Sequence, residues 1–140
     1  MKIIVFEGVD KSGKSAIAAE FKKQTNFKHL VLDRAFMSQY AYAVRYHRDL
    51  TFAELNGVMS KIKQDLVFVL VSAENEVIQK RLKAAKHEAI NVFKDKLLFE
   101  SVGSIFKIYG YKVVKIDTSS STVQEATETL IDKLKSIGVE

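Results

Sequence analysis

Residues 8–15 read Gly8-Val9-Asp10-Lys11-Ser12-Gly13-Lys14-Ser15 and fit the spacing G-x-x-x-x-G-K-[ST]. Residues of these types at this spacing suit the capture of a polyphosphate. The glycines let the backbone curl until successive N–H groups converge on the β-phosphate, and a helix opening at the end of the loop adds positive potential there. Lys14 would bridge the β- and γ-phosphates, and Ser15 would place its hydroxyl on Mg2+, an oxygen-seeking ion. Gly8, Ser12, Gly13, Lys14 and Ser15 are thus the residues expected to hold ATP and Mg2+.

Such a loop works only between a buried strand and a helix, and the flanking residues supply both. Lys2 to Glu7 is apolar enough for a buried strand, and Gly13 to about Gln24 reads as an amphipathic helix. The alternation of short apolar runs with longer amphipathic stretches then continues. Strands are expected at His29–Asp33, Asp65–Val71 and Tyr111–Ile116, and helices at Phe36–His47, from Thr51 to Lys63, after Ser72 to about Ala85, at Glu88–Ile108, and from Thr122 to Gly138. Thr51 with Glu54, and Thr122 with Glu125, have capping-box spacing, and Ser72 is read as a further cap. This pattern specifies an α/β fold: a three-layer arrangement with a reduced, four-stranded parallel sheet flanked by helices.

Composition narrows the setting. The 140 residues suit one domain, and 47% hydrophobic with 28% charged residues is the balance of a folded globular chain. With no cysteine there is no disulfide, thiolate nucleophile or cysteine metal site, which fits a cytoplasmic location. The three histidines, His29, His47 and His87, are too far apart in sequence to build a zinc site together. The first apolar run stops at Glu7, short of a signal core or a membrane span. A net charge of +5 favours polyanions, nucleotides and nucleic acid alike.

Three stretches carry a family resemblance. Ile3-Ile4-Val5-Phe6-Glu7-Gly8-Val9-Asp10-Lys11-Ser12-Gly13-Lys14-Ser15 resembles the first strand and phosphate loop of the thymidylate kinase family of nucleoside monophosphate kinases. Asp33-Arg34-Ala35-Phe36-Met37-Ser38-Gln39-Tyr40-Ala41-Tyr42 is similar to that family's Asp-Arg-aromatic segment, and Gln64-Asp65-Leu66-Val67-Phe68-Val69-Leu70, continuing to Lys80-Arg81-Leu82, to its third core strand and the helix before its lid. The resemblance covers most of the chain with one omission. Only residues 16–32 separate the phosphate loop from Asp33, with no room for the family's extra strand and Arg-Glu-Pro-Gly loop, and Ala43 stands where the family has glutamine. Such compactness is similar to that of virus-encoded members, and it implies the strand order 2-1-3-4.

The resemblance implies catalytic roles for Lys14, Asp33, Arg34, Asp10 and Lys11. Asp33, ending a strand beside the loop strand, faces the crevice where open α/β sheets bind ligands and could hold Mg2+ through water. Arg34 would hold phosphate oxygens during transfer, Asp10 would meet the acceptor sugar or, through water, the metal, or else serve as an N-cap, and Lys11 would offset transition-state charge or be a solvated surface lysine. Arg81, Lys83 and Lys86 precede a lid expected at about 82–92 and would close on the phosphates of the cofactor, or form a helix's solvated face. Arg45 and Arg48 could take an acceptor phosphate or a nucleic-acid backbone. Phe36, Tyr40 and Tyr42 have two readings, stacking on an acceptor base or core packing at helical spacing.

The function expected is transfer of the ATP γ-phosphate to a deoxynucleoside monophosphate. Two alternatives stay open: a kinase acting on a hydroxyl of a nucleoside or of DNA, and a non-catalytic nucleotide-binding module. A nucleotide or nucleoside is the expected partner, with nucleic acid and a second copy of the chain left open and no membrane partner.

Overall fold

The computed structural model describes residues 1–84 and 90–140. Four strands form one parallel sheet: β1 (Ile3–Glu7), β2 (Leu30–Asp33), β3 (Leu66–Ser72) and β4 (Lys112–Asp117), in the order β2-β1-β3-β4. Helices α1 (Lys14–Gln24), α2 (Met37–Arg45), α3 (Phe52–Met59), α4 (Asn75–Ala84), α5 (Ile90–Ile108) and α6 (Val123–Ser136) connect and cover it, with a short 3-10 turn at Ser60–Ile62. The strand order and the three layers agree with the sequence expectation. The expected lid falls partly on the ends of α4 and α5 and partly on 85–89, including Lys86 and His87, which lie outside the described residues.

Period-two alternation divides the core into two halves. From β3, Leu66, Phe68 and Leu70 point to the face covered by α2, α3, α4 and α5, while Val67, Val69 and Val71 point to the face covered by α1 and α6. On β1, Ile4 and Phe6 join the α1/α6 side, and Val5 the opposite side. The larger half centres on Phe68, fully buried and edge-on to Phe36, Phe106 and Tyr111. Such pairs add to area burial because the electropositive ring edge meets the electronegative ring face.

Both capping boxes are present: Thr51 accepts from the Glu54 N–H and Thr122 from the Glu125 N–H, and each glutamate returns to its cap N–H. The α6 chain reversal uses Gly138, at φ 86°. Several boundaries differ from the sequence reading, among them the end of the helix expected from Thr51 to Lys63, which stops at Met59 and continues as the 3-10 turn. Ser72 is the last residue of β3 and α4 starts only at Asn75, so Ser72 does not cap that helix; its carbonyl instead accepts the Thr118 N–H at 2.9 Å. His29 precedes β2, and its ring nitrogen Nδ1 accepts the Lys2 N–H at 3.0 Å. Helix α2 is shorter than Phe36–His47, because Phe36 at φ 43° and His47 at φ 52° both leave the helical region.

Phe68→Ala should lower the unfolding free energy by about 3–5 kcal/mol, since truncation leaves a cavity ringed by aromatic side chains that cannot collapse onto it. Urea denaturation would measure this, and a loss below about 1 kcal/mol would contradict the placement of Phe68 at the centre of the core.

Candidate active site

The site forms at the carboxyl ends of β1 and β2, where the register places Phe6 opposite Asp33 and the Arg34 N–H donates to the Phe6 carbonyl at 2.9 Å. The chain leaves β1 through Gly8, whose φ of 146° and close approach to the Val71 carbonyl oxygen exclude any side chain. Gly13, at φ 92°, ends the loop against Thr118 and is followed by α1. Thr118 Oγ1 donates to the Ser12 carbonyl at 2.5 Å, so the loop is anchored from the β4–α6 connection.

The loop encloses an open hollow of about 200 Å3 lined by Val9, Asp10, Lys11, Gly13, Lys14, Ser15 and Ala16. Among the described residues, the N–H groups of Lys11, Gly13, Lys14 and Ser15 have no protein acceptor, leaving a set of donors at the start of a helix. The Lys14 ammonium is buried and contacts Asp33 Oδ1, and Ser15 Oγ lies 3.4 Å from Asp33 Oδ2. A hydroxyl and a carboxylate side by side form an oxygen donor set suited to Mg2+. Lys14, Ser15 and Asp33 are therefore brought together as the sequence expects.

Arg34 follows at φ 65°. Its guanidinium lies 3.5 Å from Asp10 Oδ1, donates to Tyr42 Oη at 3.2 Å and reaches Ser38 Oγ at 3.5 Å. Asp10 and Arg34 thus face each other across the mouth of the loop, with Tyr42 behind them. Tyr42 also meets Phe99 of α5, and Arg45, one turn further along α2, pairs with Asp95 of α5 at 2.6 Å. The packed contact between α2 and α5 therefore carries Tyr42, Arg45 and Asp95, with Arg34 beside Tyr42.

Other expected residues are placed elsewhere. Phe36 and Tyr40, both half-buried, pack against Phe68 and Phe52 respectively. Arg48 is exposed beside the Tyr46 ring and, with Phe36, Gln39, Ala43, Leu50, Leu55 and Val58, lines a separate groove. Lys11, at φ 65°, borders the hollow. Arg81 donates to the Lys11 carbonyl at 2.8 Å and to the Thr118 carbonyl at 3.1 Å, tying α4 to the phosphate loop. Lys83 is exposed on α4.

Two residues that matter here were not picked out in the sequence. Asp95 gave no local signal, because only packing brings α5 beside α2. Glu7 is fully buried at the end of β1. Its Oε2 accepts the N–H groups of Ala35 and Ser38 at 3.2 and 3.0 Å, and its Oε1 accepts from Ser38 Oγ. Parity would have revealed it, since Glu7 shares the face of Ile3 and Val5 and must lie under whatever covers them. Burial pushes its carboxyl up to about 7, against the opposing effects of the Ser38 and Ala35 hydrogen bonds and the Arg34 charge.

No family model matches the chain, and no curated protein matches it by sequence. Solved structures do. The YorR protein of Bacillus subtilis, solved in complex with phosphorylated GDP, superposes with a TM-score of 0.76 at 21% identity over 99% of this chain and 100% of that one. Deoxyadenosine kinase from M. mycoides, with bound dCTP, gives 0.61 at 14% identity over 97% and 100%. Shikimate kinase from Acinetobacter baumannii, in complex with shikimate, gives 0.51 at 10% identity over 100% and 96%. At these identities the likeness is one of fold, and the chain has the fold of P-loop kinases.

The raised pKa of Glu7 makes a stability prediction. The protonated form is favoured on folding, so this contribution is complete below the ordinary value of 4.5 and is lost as pH rises to about 7. Wild type minus Glu7→Gln should therefore fall with pH across that window, by at most about 1.4 kcal/mol per pH unit. Urea denaturation at stepped pH would show it; a constant difference between the two proteins would contradict it.

Proposed function

We propose that the protein is a phosphotransferase that moves the γ-phosphoryl group of ATP to a deoxynucleoside monophosphate. The observation that carries this reading is the junction of Lys14, Ser15 and Asp33 at the phosphate loop, with Arg34 and Asp10 facing each other beside it. A triphosphate would lie along the loop N–H groups with Lys14 on its β- and γ-oxygens. Mg2+ would be held by Ser15 and, through water, by Asp33, neutralising charge between those phosphates. A phosphate oxygen of the acceptor attacks the γ-phosphorus while the bond to the β–γ bridging oxygen breaks. No covalent enzyme intermediate is required.

Catalysis on this reading is positioning and charge stabilisation. Arg34 lies beside the loop, between Asp10 and Tyr42, and on this reading would hold phosphate oxygens during transfer. Its planar fork suits two phosphate oxygens at once. Lys11 and Asp10 line the hollow; on this reading Lys11 would add charge at the loop rim and Asp10 would meet the acceptor sugar. Tyr42, half-buried beside Arg34, would border the acceptor, while Arg45 is engaged by Asp95.

A second reading has the hydroxyl of a nucleoside as the acceptor. It draws on the carboxylates of Asp10 and Asp33 at the mouth of the loop, because a hydroxyl needs a base to take its proton and a phosphate does not. The deoxyadenosine kinase likeness is compatible with it.

Labelled ATP with Mg2+, offered in parallel to each deoxynucleoside monophosphate, to nucleosides and to oligonucleotides, separates these readings. The expected result is transfer to at least one monophosphate, with Lys14→Ala reducing the rate by about a hundred- to a thousandfold. Transfer to a nucleoside alone would favour the second reading. Triphosphate binding with transfer to no acceptor would overturn both.

A further inference from the structure

Helix α2 begins without a cap of its own. Phe36 occupies its N-cap position at φ 43° and ψ −65° and makes no side-chain cap bond. Two residues earlier Arg34 is also left-handed, at φ 65°. Neither residue is glycine, so both conformations cost energy and persist only where surrounding contacts hold them. The Ser38 N–H, an orphan donor of the first helical turn, is satisfied from another element: it donates to Glu7 Oε2 at 3.0 Å. The Ala35 N–H, between the two strained residues, donates to the same oxygen at 3.2 Å. A buried carboxylate from β1 thus caps α2 and clasps the turn that carries Arg34.

We propose that Glu7 is a positioning residue for phosphoryl transfer, acting through Ser38 to aim the Arg34 guanidinium; this rests on the reading of the site given above. The direction of one hydroxyl proton transmits the effect. When Glu7 is ionised, Ser38 Oγ donates to Oε1 and its lone pairs remain for Arg34, 3.5 Å away. When Glu7 carries a proton, its O–H donates to Ser38 Oγ, which takes up one of the serine lone pairs and frees the serine hydrogen from Oε1, weakening the acceptor that faces Arg34. Ionised Glu7 also attracts Arg34 directly. Once Glu7 is protonated, Arg34 is held by its Tyr42 and Asp10 contacts alone.

Several charged groups surround this relay. Arg34 is the one whose charge acts on Glu7, and Asp10 on the loop and Tyr42 on α2 adjoin Arg34. Asp33, at the end of β2, is engaged by Lys14, and β3 presents only apolar side chains to the core. From α5, Lys96 and Glu100 line the small cavity beside Gly8.

Glu7→Gln keeps an acceptor for both N–H groups but presents an N–H2 donor to Ser38, fixing the unfavourable hydroxyl direction at every pH. Two measurements test the proposal. In the free protein, labelled with 15N-arginine, the Arg34 Nε signal, assigned by its loss in Arg34→Lys, should shift with a midpoint at about pH 7 in wild type and stay flat there in Glu7→Gln. In turnover, Glu7→Gln should lower kcat by roughly ten- to a hundredfold with KM for ATP changed less than about twofold, and should abolish the rise of kcat with pH near neutrality. Ser38→Ala should lower kcat similarly, with little further loss in the double variant. An Arg34 signal that titrates alike in both proteins, or not at all in wild type, overturns the proposal; so does a wild-type kcat profile in Glu7→Gln. If wild type turns over no acceptor, the proposed function falls, while the Arg34 titration still decides the Glu7–Ser38–Arg34 relay.

Discussion

The parallel pairing of β1 with β2 sets the position of everything that could do chemistry in this protein. With Phe6 opposite Asp33, the two strands end level, and the turn after each emerges at the same edge of the sheet. One turn becomes the phosphate loop and the other presents Asp33 and Arg34 to it. A register slip of one residue would send Asp33 to the opposite face and bury a carboxylate among the apolar residues under α2. That penalty protects the register, and hence the contact of Lys14, Ser15 and Asp33.

Opposite charges alternate through the site. Asp33 touches Lys14, Arg34 faces Asp10, Glu7 lies behind Arg34, and Arg45 holds Asp95 further along the crevice. These interactions differ with depth. The Asp10–Arg34 pair is exposed on its acidic side and contributes little to stability, which leaves its members available to a ligand. The Arg45–Asp95 pair is largely buried, so each partner depends on the other, and it fixes α2 against α5. Glu7 is buried without an adjacent salt bridge and is held mainly by neutral donors, which leaves its proton affinity open to adjustment by burial.

The chain also stores backbone strain beside the site. Arg34 and Phe36 bracket a turn that local preference disfavours. Two long-range contacts maintain it: the Glu7 carboxylate on its N–H groups, and the Phe36 ring edge-on to Phe68 in the core. Phe36 thus joins the core and the turn that carries Arg34. Arg81 acts comparably on the other side, anchoring the loop backbone at Lys11.

Local chemistry in the sequence determined a good deal. The period-two and helical patterns, the two threonine–glutamate boxes and the glycine spacing identify the elements and the loop, because each signal depends on neighbours a few residues apart. The loop's glycines and its Lys14-Ser15 pair had a legible role for the same reason. What the tertiary structure decided is where side chains distant in sequence meet: Asp95 against Arg45, Arg81 on the loop carbonyl, Tyr42 in place of Phe36 and Tyr40 at the crevice. At helical spacing Phe36 and Tyr40 look the same whether they face a ligand or a core, and only the packing of α3 and α5 on α2 distinguishes the two. Glu7 lay between these cases. Strand parity shows its face, but its partners come from a helix some thirty residues away, and no local pattern encodes a contact made by the sheet's own closure over its helices.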